Sequence, residues 1–327
     1  MRGRRLRALI TGCSGFAGGH LASELLGTSD WTVWGTTFLP GEQHHDALAG
    51  VELLQADLRE PSDVQSVLAA ARPDVVFHLA GQPFVPESWA RPWETFETNV
   101  RMQLNVLNAV AEDHPSARVI AVTSNEVYGR VPEAAQPTGE DAPFAPQNPY
   151  ATSKAAQDLL AGQYGRSPGL DIVRVRPFNH LGSGQNDRFV AASFARQVAE
   201  AELGLREPVI RVGDLAAERD FTDVRDIVRG YRLAAERAER GAIFNLGSGK
   251  AHAVRRILDF MVGASEVTVT VIDDPDRMRP SDVPRTLCDA SAARDALEWE
   301  PTITFPDTLR DVLDDWRRRV RQGMGTD

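Results

Sequence analysis

Thr11-Gly12-Cys13-Ser14-Gly15-Phe16-Ala17-Gly18-Gly19-His20 follows directly on the short run Arg7-Ala8-Leu9-Ile10. Glycines at 12, 15 and 18 permit a tight turn, close approach of backbone to a pyrophosphate, and close packing of a helix on a strand. A helix opening at Phe16 would point its amide-rich, positive end at the phosphates. Gly-x-x-Gly-x-x-Gly is weak evidence alone, since a glycine-rich turn needs no ligand. Its place between a strand at Arg7–Thr11 and an amphipathic helix at Ala17–Gly27 makes it a dinucleotide loop, with Gly12, Ser14, Gly15, Phe16, Ala17 and Gly18 as its cofactor contacts.

Outward from this loop, β-rich runs alternate with helical stretches. Strands are predicted at Trp31–Thr37, Val51–Gln55, Val75–Leu79, Arg118–Ser124 and Asp171–Arg176, and helices at Ser62–Ala71, Trp93–Asp113 and Tyr150–Tyr164. Several strands are continuous apolar runs, as a parallel sheet covered on both faces requires. The pattern predicts an α/β fold, a doubly wound parallel (Rossmann) sheet with a smaller, mixed C-terminal substrate-binding domain. The expected division is residues 1–177 for the dinucleotide domain, which also receives roughly residues 221–248, and residues 178–327 for the smaller one. Beyond Pro177 the reading is a helix at Phe189–Leu203, a strand at Pro208–Val212, a helix at Asp223–Arg237 and a strand at Ile243–Leu246. A helix at Val254–Val262, a strand at Val267–Ile272 and a helix at Phe305–Arg319 complete it. Val131–Pro149 holds five prolines and reads as coil, the kind of segment that often carries a binding surface.

Composition is that of an ordinary globular protein, 42% hydrophobic and 25% charged over 327 residues. A net charge of −10 argues against nucleic acid as a partner. Arg2, Arg4, Arg5 and Arg7 at the start, and Arg317, Arg318, Arg319 and Arg321 near the end, read as a solvated terminus and a helix end matched to its dipole. The two cysteines, Cys13 and Cys288, are far apart and have no metal-ligand spacing, so no metal is expected. No secretory leader and no apolar run of ~20 residues is read, so a cytoplasmic protein without a membrane partner is expected.

The second strand ends Gly35-Thr36-Thr37-Phe38, with no acid to bind a ribose 2′-hydroxyl. Nothing there repels a 2′-phosphate, and threonine hydroxyls could bond it, so NADP(H) is favoured over NAD(H). Asp57-Leu58, closing the third strand, is a candidate adenine contact; a helix cap near Glu60-Pro61 is the plainer reading of Asp57. Asn148-Pro149-Tyr150-Ala151-Thr152-Ser153-Lys154 opens a helix, and Tyr150 and Lys154, four apart, project from one face. A phenol titrates near pH ~10, and an ammonium beside it would lower that value. Such a pair can move a proton on or off a sugar oxygen while a hydride moves to or from nicotinamide. Ser124, at a strand end on the ligand-binding edge of such a sheet, would hydrogen-bond the same oxygen.

Thr11–Gly18, His78-Leu79-Ala80-Gly81, Asn99, Thr123-Ser124-Asn125-Glu126-Val127-Tyr128-Gly129 and Tyr150–Lys154 stand in the order and spacing of a known family. On them the chain resembles, nearly end to end, the extended short-chain dehydrogenase/reductases that modify nucleotide-diphosphate sugars. Phe178-Asn179-His180, Arg219–Asp226, Asn245–Lys250 and Arg277–Asp282 are most similar to the members that reduce GDP-4-keto-6-deoxy-hexoses. The resemblance implies a catalytic set of Ser124, Glu126, Tyr150 and Lys154. It adds Thr36, Leu79, Ala80, Gly81 and Asn99 to the cofactor contacts, and Asn125 and Asn179 to the substrate contacts. Arg219 and Arg279 would grip the phosphates as guanidinium forks, unless they form ion pairs with Asp220 and Asp282.

The resemblance thus implies an oxidoreductase that reduces the 4-keto group of a GDP-4-keto-6-deoxy-hexose with NAD(P)H, Tyr150 giving the proton. The alternative is a nucleotide-sugar 4,6-dehydratase or 4-epimerase that retains its NAD(P). Glu126 favours the alternative, because in the dehydratases a glutamate at that place serves as base and acid. Asn125 disfavours a dTDP-glucose dehydratase, where Asp–Glu is common. The resemblance also implies a homodimer formed through the Trp93–Asp113 and Tyr150–Tyr164 helices.

Overall fold

Ala8, Leu9 and Ile10 are almost completely buried, and alternate side chains of their strand enter two different cores. The computed structural model describes residues 5–28, 30–38, 48–275 and 283–323. In chain order the first half runs β1 (Leu6–Thr11), α1 (Phe16–Gly27), β2 (Trp31–Thr37), β3 (Glu52–Gln55), α2 (Pro61–Ala71), β4 (Val75–His78), α3 (Val85–Ala90), α4 (Pro92–Asp113), β5 (Arg118–Val122), α5 (Pro149–Arg166) and β6 (Asp171–Pro177). There follow β7 (His180–Leu181), α6 (Val190–Glu202), β8 (Val209–Val212), β9 (Glu218–Asp220), β10 (Thr222–Asp223), α7 (Val224–Arg237) and β11 (Ile243–Leu246). The chain closes with β12 (Ala251–Ala253), α8 (Val254–Gly263), β13 (Thr270–Asp273), α9 (Ser291–Leu297) and α10 (Phe305–Arg321).

The large sheet has the order β11-β6-β5-β4-β1-β2-β3, and every pairing within it is parallel. From β1 the chain winds outward through β2 to β3, then crosses back to lay β4 on the other side of β1. That reversal leaves a crevice at the carboxyl ends of β1 and β4, where ligands bind in open α/β sheets. On one face Leu21 and Leu25 of α1 and Ile227 and Val228 of α7 pack with Ile10 and Phe77. On the other, Val67 and Leu68 of α2 and Val106, Leu107 and Val110 of α4 pack with Leu9, Val76 and Val119.

A third core joins Phe194 and Val198 of α6, Ile210 and Val212 of β8, Ile257 and Met261 of α8, and Leu313 and Trp316 of α10. Around it lie three two-stranded pairs, β10-β7, β12-β9 and β13-β8. α10 carries the basic run: Arg317 pairs with Glu202 at 2.7 Å, Arg318 with Asp315 at 3.1 Å, and Arg319 lies 3.9 Å from the Trp316 ring centre. Arg317, through Glu202 of α6, and Arg319, which also donates to the Gln185 carbonyl, tie the helix to its surroundings, while the Arg318 pair lies within it.

Most expected elements form within a residue or two of their expected bounds. The strand expected over Arg118–Ser124 stops at Val122, because Ser124 leaves the sheet and its hydroxyl accepts from Glu126 N, capping a 3₁₀ turn at Asn125–Tyr128. The one expected over Val267–Ile272 begins at Thr270; Val267 N instead donates to Ser265 Oγ in a tight turn. α3, α9 and the two- and three-residue strands are additions, too short to show a period. The 131–149 stretch forms a strap over β11: Glu140 Oε1 accepts from Asn245 N, and Thr138 bridges to Cys288.

Candidate active site

Thr11 ends β1, and its hydroxyl accepts from Leu79 N and Ala80 N beyond β4, tying the two strand ends together. Gly12 then takes a left-handed φ of 68°, and a Cβ there would sit 2.9 Å from Ala80 Cα. At Gly18 a Cβ would fall 2.3 Å from the Gly12 carbonyl oxygen. These two positions hold the turn flat against the helix. α1 starts with Gly15 as its N-cap, no capping side chain and no acid in its first turn, so its amide end meets the crevice uncovered.

A single cleft of about 910 Å³ runs from this loop to the catalytic candidates. It is lined by Gly12, Ser14, Gly15, Phe16, Ala17, Gly18, Thr36, Asp57, Leu58, Leu79, Ala80 and Gly81. Ser124, Asn125, Glu126, Tyr150, Lys154 and Asn179 line it as well. Residues far apart in sequence thus share one space. The uncapped helix end and the glycine cradle suit a dinucleotide pyrophosphate.

Tyr150 and Lys154 project from the first turns of α5, whose N-cap is Asn148: Asn148 Oδ1 accepts from Ala151 N at 2.8 Å. The other end of the same amide donates to Glu126 Oε2 at 3.2 Å, so one residue fixes both the helix start and the glutamate. Tyr150 is buried, with the Ser124 side chain beside its phenol. Burial pushes the phenol above its ordinary value; Ser124 pulls it down and Glu126 pushes it up. The lowering expected from Lys154 is not among these influences: Lys154 Nζ donates to the Val122 carbonyl at 3.3 Å, and burial lowers its ammonium to about 8. Tyr150 in this state is a protonated phenol, able to donate.

Two candidates lie elsewhere than expected. Asn99 does not line the cleft. It is fully buried, its Oδ1 accepts from Gln82 N, and its amide donates to Ser153 Oγ and the Gln82 carbonyl, so it braces the loop beside Gly81. Arg219, on β9, stands outside the cleft lining and donates to the carbonyls of Glu218 and Pro284. Burial lowers its guanidinium, while the carboxylates of Glu126 and Asp214 pull it back up. An ion pair with Asp220 is not what holds it, because Asp220 accepts from Ser248 N and Oγ, Gly249 N and Cys288 N. Arg279, with Asp282 as its expected alternative partner, lies outside the described residues, as do Arg2 and Arg4.

Thr36 does line the cleft, but it is buried and its hydroxyl accepts from Gly12 N, so it serves the glycine loop before any phosphate. A half-buried cation nearby is Arg59, two residues beyond Asp57. It forms a 2.6 Å ion pair with Asp57 and stands 5.4 Å from the Phe38 ring centre. Asp57 is therefore held by Arg59 and caps no helix; this hydrogen bond above all keeps its carboxyl below the usual range.

The family model described as GDP-mannose 4,6 dehydratase matches residues 9–312. The chain belongs to that family of extended short-chain dehydrogenase/reductases. It is 37% identical to GDP-6-deoxy-D-mannose reductase of Pseudomonas aeruginosa over 316 residues, covering 97% of this chain and 99% of the relative. RMD from Pseudomonas aeruginosa complexed with NADPH superposes with a TM-score of 0.84 at 35% identity, covering 96% of this chain and 99% of that one. The UDP-glucose 4-epimerase of Thermus thermophilus, in complex with NAD, superposes at 0.82 with 28% identity and coverage of 95% and 99%.

In this dehydrogenase/reductase the cleft also holds residues that the sequence does not single out. Phe38 and Arg59 stand at the cofactor-loop end, and Gln82, Phe84, Gln185 and Arg188 extend the lining elsewhere. Asn179 Oδ1 and Gln185 Oε1 are buried acceptors with no hydrogen-bond partner among the described residues. Among the described residues no group of acids, histidines and cysteines is placed to hold a metal, and no helix is long and apolar enough to cross a membrane.

Proposed function

We propose that this enzyme reduces the 4-keto group of a GDP-4-keto-6-deoxy-hexose, with NADP(H) favoured over NAD(H). The observation that carries the proposal is the single cleft joining the glycine loop at 12–18 to Ser124, Tyr150 and Lys154. Its substrate class follows the relatedness to a GDP-6-deoxy-D-mannose reductase. Reduced nicotinamide, when bound, supplies the hydride that adds to the carbonyl carbon. Tyr150 gives the carbonyl oxygen its proton, and burial suits this by keeping the phenol protonated. Ser124 orients that oxygen, and Lys154, one turn further along α5, is held on the Val122 carbonyl within the same cleft. Asn125 and Glu126 are the proposed sugar contacts, and Asn179 a proposed contact to the diphosphate.

The reading is tested by following reduced-cofactor absorbance with the 4-keto-6-deoxy derivative of GDP-mannose. One NADPH is expected to be oxidised per sugar reduced. A dehydratase or epimerase is the second reading, favoured by the Glu126 carboxylate held in the cleft by Asn148. Conversion of GDP-mannose itself, with no net cofactor change, would select it.

Arg59 is the proposed recognition group for a 2′-phosphate, its charge offsetting that of Asp57. Arg59→Ala should weaken NADPH by about tenfold and leave NADH nearly unchanged, as loss of one charge-assisted contact implies. Cofactor titrations by fluorescence check this, and an equal loss for both cofactors would count against it.

The homodimer is proposed through α4 and α5. Trp93 is 70% exposed and stacks with Phe96, Trp89 and Leu159 are also exposed, and Leu159 shares a face of α5 with Thr152. Such an apolar surface favours burial against a second copy. A monomer mass by sedimentation would contradict this. A cytoplasmic location is likewise proposed, on the support of two buried free thiols, Cys13 and Cys288. Recovery of the enzyme from an oxidising compartment would oppose it.

A further inference from the structure

Among the described residues three arginines line the cleft, and they differ in what holds them. Arg59 is paired with Asp57, and Arg91 with Glu87 and Glu94. Arg188, at the entry to α6, has no ion pair and no side-chain hydrogen bond among the described residues. Its exposed guanidinium lies 5.6 Å from the centre of the Phe84 ring, and its backbone N–H donates to Asn186 Oδ1. Its neighbour Asp187 is committed elsewhere, to Arg196 at 2.6 Å. Phe84 in turn meets Phe189 edge-on at 6.0 Å, so the segment before α3 and the entry to α6 form an aromatic shelf under this cation.

In a chain of net charge −10, a local cation that is not already neutralised adds most to the binding of a doubly charged diphosphate. Arg219 donates to backbone carbonyls, and Lys154 is buried on the Val122 carbonyl. Resting on an aromatic face leaves the N–H groups of a guanidinium free in its plane, where they can fork onto phosphate oxygens. An exposed cation–π contact is weak, and charge-assisted bonds to phosphate are stronger, so a diphosphate would win the side chain. We propose that Arg188 binds the diphosphate of the nucleotide sugar. The proposal rests on the reading of this cleft as a nucleotide-sugar site, and names the residue that takes the substrate's charge.

The test is calorimetric titration of the NADP-loaded protein with GDP and, separately, with UDP. Arg188→Gln should weaken both by the same factor, about tenfold or more, as expected for losing a charge-assisted fork. Arg188→Lys should fall between, keeping the charge but not the fork, while the NADPH affinity and Tm stay at wild-type values. Unchanged GDP affinity in Arg188→Gln would overturn the assignment. So would a loss confined to GDP, which would mean that the arginine reads the base, or a loss confined to NADPH. Wild-type protein that binds neither nucleotide would overturn the nucleotide-sugar reading and this assignment together. Arg188-dependent GDP binding, in contrast, stands even if no keto-sugar is reduced.

Discussion

Tyr150→Phe should lower the turnover of the keto-sugar by roughly 10²- to 10⁴-fold, the usual worth of a positioned general acid. The substitution removes one oxygen and leaves the ring in place among its buried neighbours. Its effect should therefore fall on proton transfer and not on the fold. Ser124 remains, but a serine hydroxyl bonded only to the carbonyl cannot replace the phenol as a donor of matched acidity. NADPH should bind Tyr150→Phe about as tightly as wild type, because the glycine loop and the uncapped end of α1 are untouched. Stopped-flow or steady-state loss of reduced cofactor measures the first quantity, and fluorescence titration the second. Turnover near the wild-type rate would remove Tyr150 from the mechanism; lost NADPH affinity would show that the phenol supports the cofactor instead.

The largest effect on stability is expected at Asp158, which reacts with nothing. It is fully buried and accepts from Arg176 Nε at 2.8 Å and Nη2 at 2.9 Å, from Arg174 Nη1 at 3.0 Å and from Thr123 Oγ1 at 3.1 Å. Arg176 is itself only 3% exposed and continues to Tyr128 Oη and the Glu140 carbonyl, with its guanidinium over the Phe144 ring. Asp158→Ala would strand that guanidinium without a counter-charge, at a cost of about 3–5 kcal/mol. At roughly 2–4 °C per kcal/mol for large domains, Tm should fall on the order of 10 °C. Thr123 also loses an acceptor directly before Ser124, so activity at low temperature should suffer more than simple unfolding explains. Differential scanning calorimetry and an assay well below the transition separate the two effects. A Tm within a degree or so of wild type would mean that water or Glu140 compensates the arginine.

The sheet is legible in the sequence because its strands are short, continuous apolar runs, and Ile243–Leu246 reads with the bounds it has in the fold. Its position beside β6, at the far edge of the order, depends on long-range pairing that no local pattern encodes. β9 and β12 escape a sequence reading for a related reason. They pair Glu218–Asp220 with Ala251–Ala253 across a short antiparallel ladder, and three residues carry no period.

In the site, the glycine loop and the Tyr150–Lys154 spacing are legible because each is a local geometry. Thr36 reads as a phosphate contact from its place at a strand end. Burial and the Gly12 amide give it another partner. Arg59 with Phe38, and Arg188 with Phe84, pair residues 21 and 104 positions apart, so only the folded chain brings them together. Asn99 is reached by resemblance, yet it acts one layer behind the surface, holding Gln82 in place.

The most direct test uses NADPH deuterated at nicotinamide C4, on the face that transfers, with the 4-keto-6-deoxy derivative of GDP-mannose, reading the sugar by mass and NMR. Transfer from a dinucleotide held at the 12–18 loop predicts a single deuterium at sugar C4, with one oxidised cofactor for each product. A converted sugar lacking that deuterium, or conversion without net oxidation of NADPH, would contradict the assignment of this cleft to carbonyl reduction.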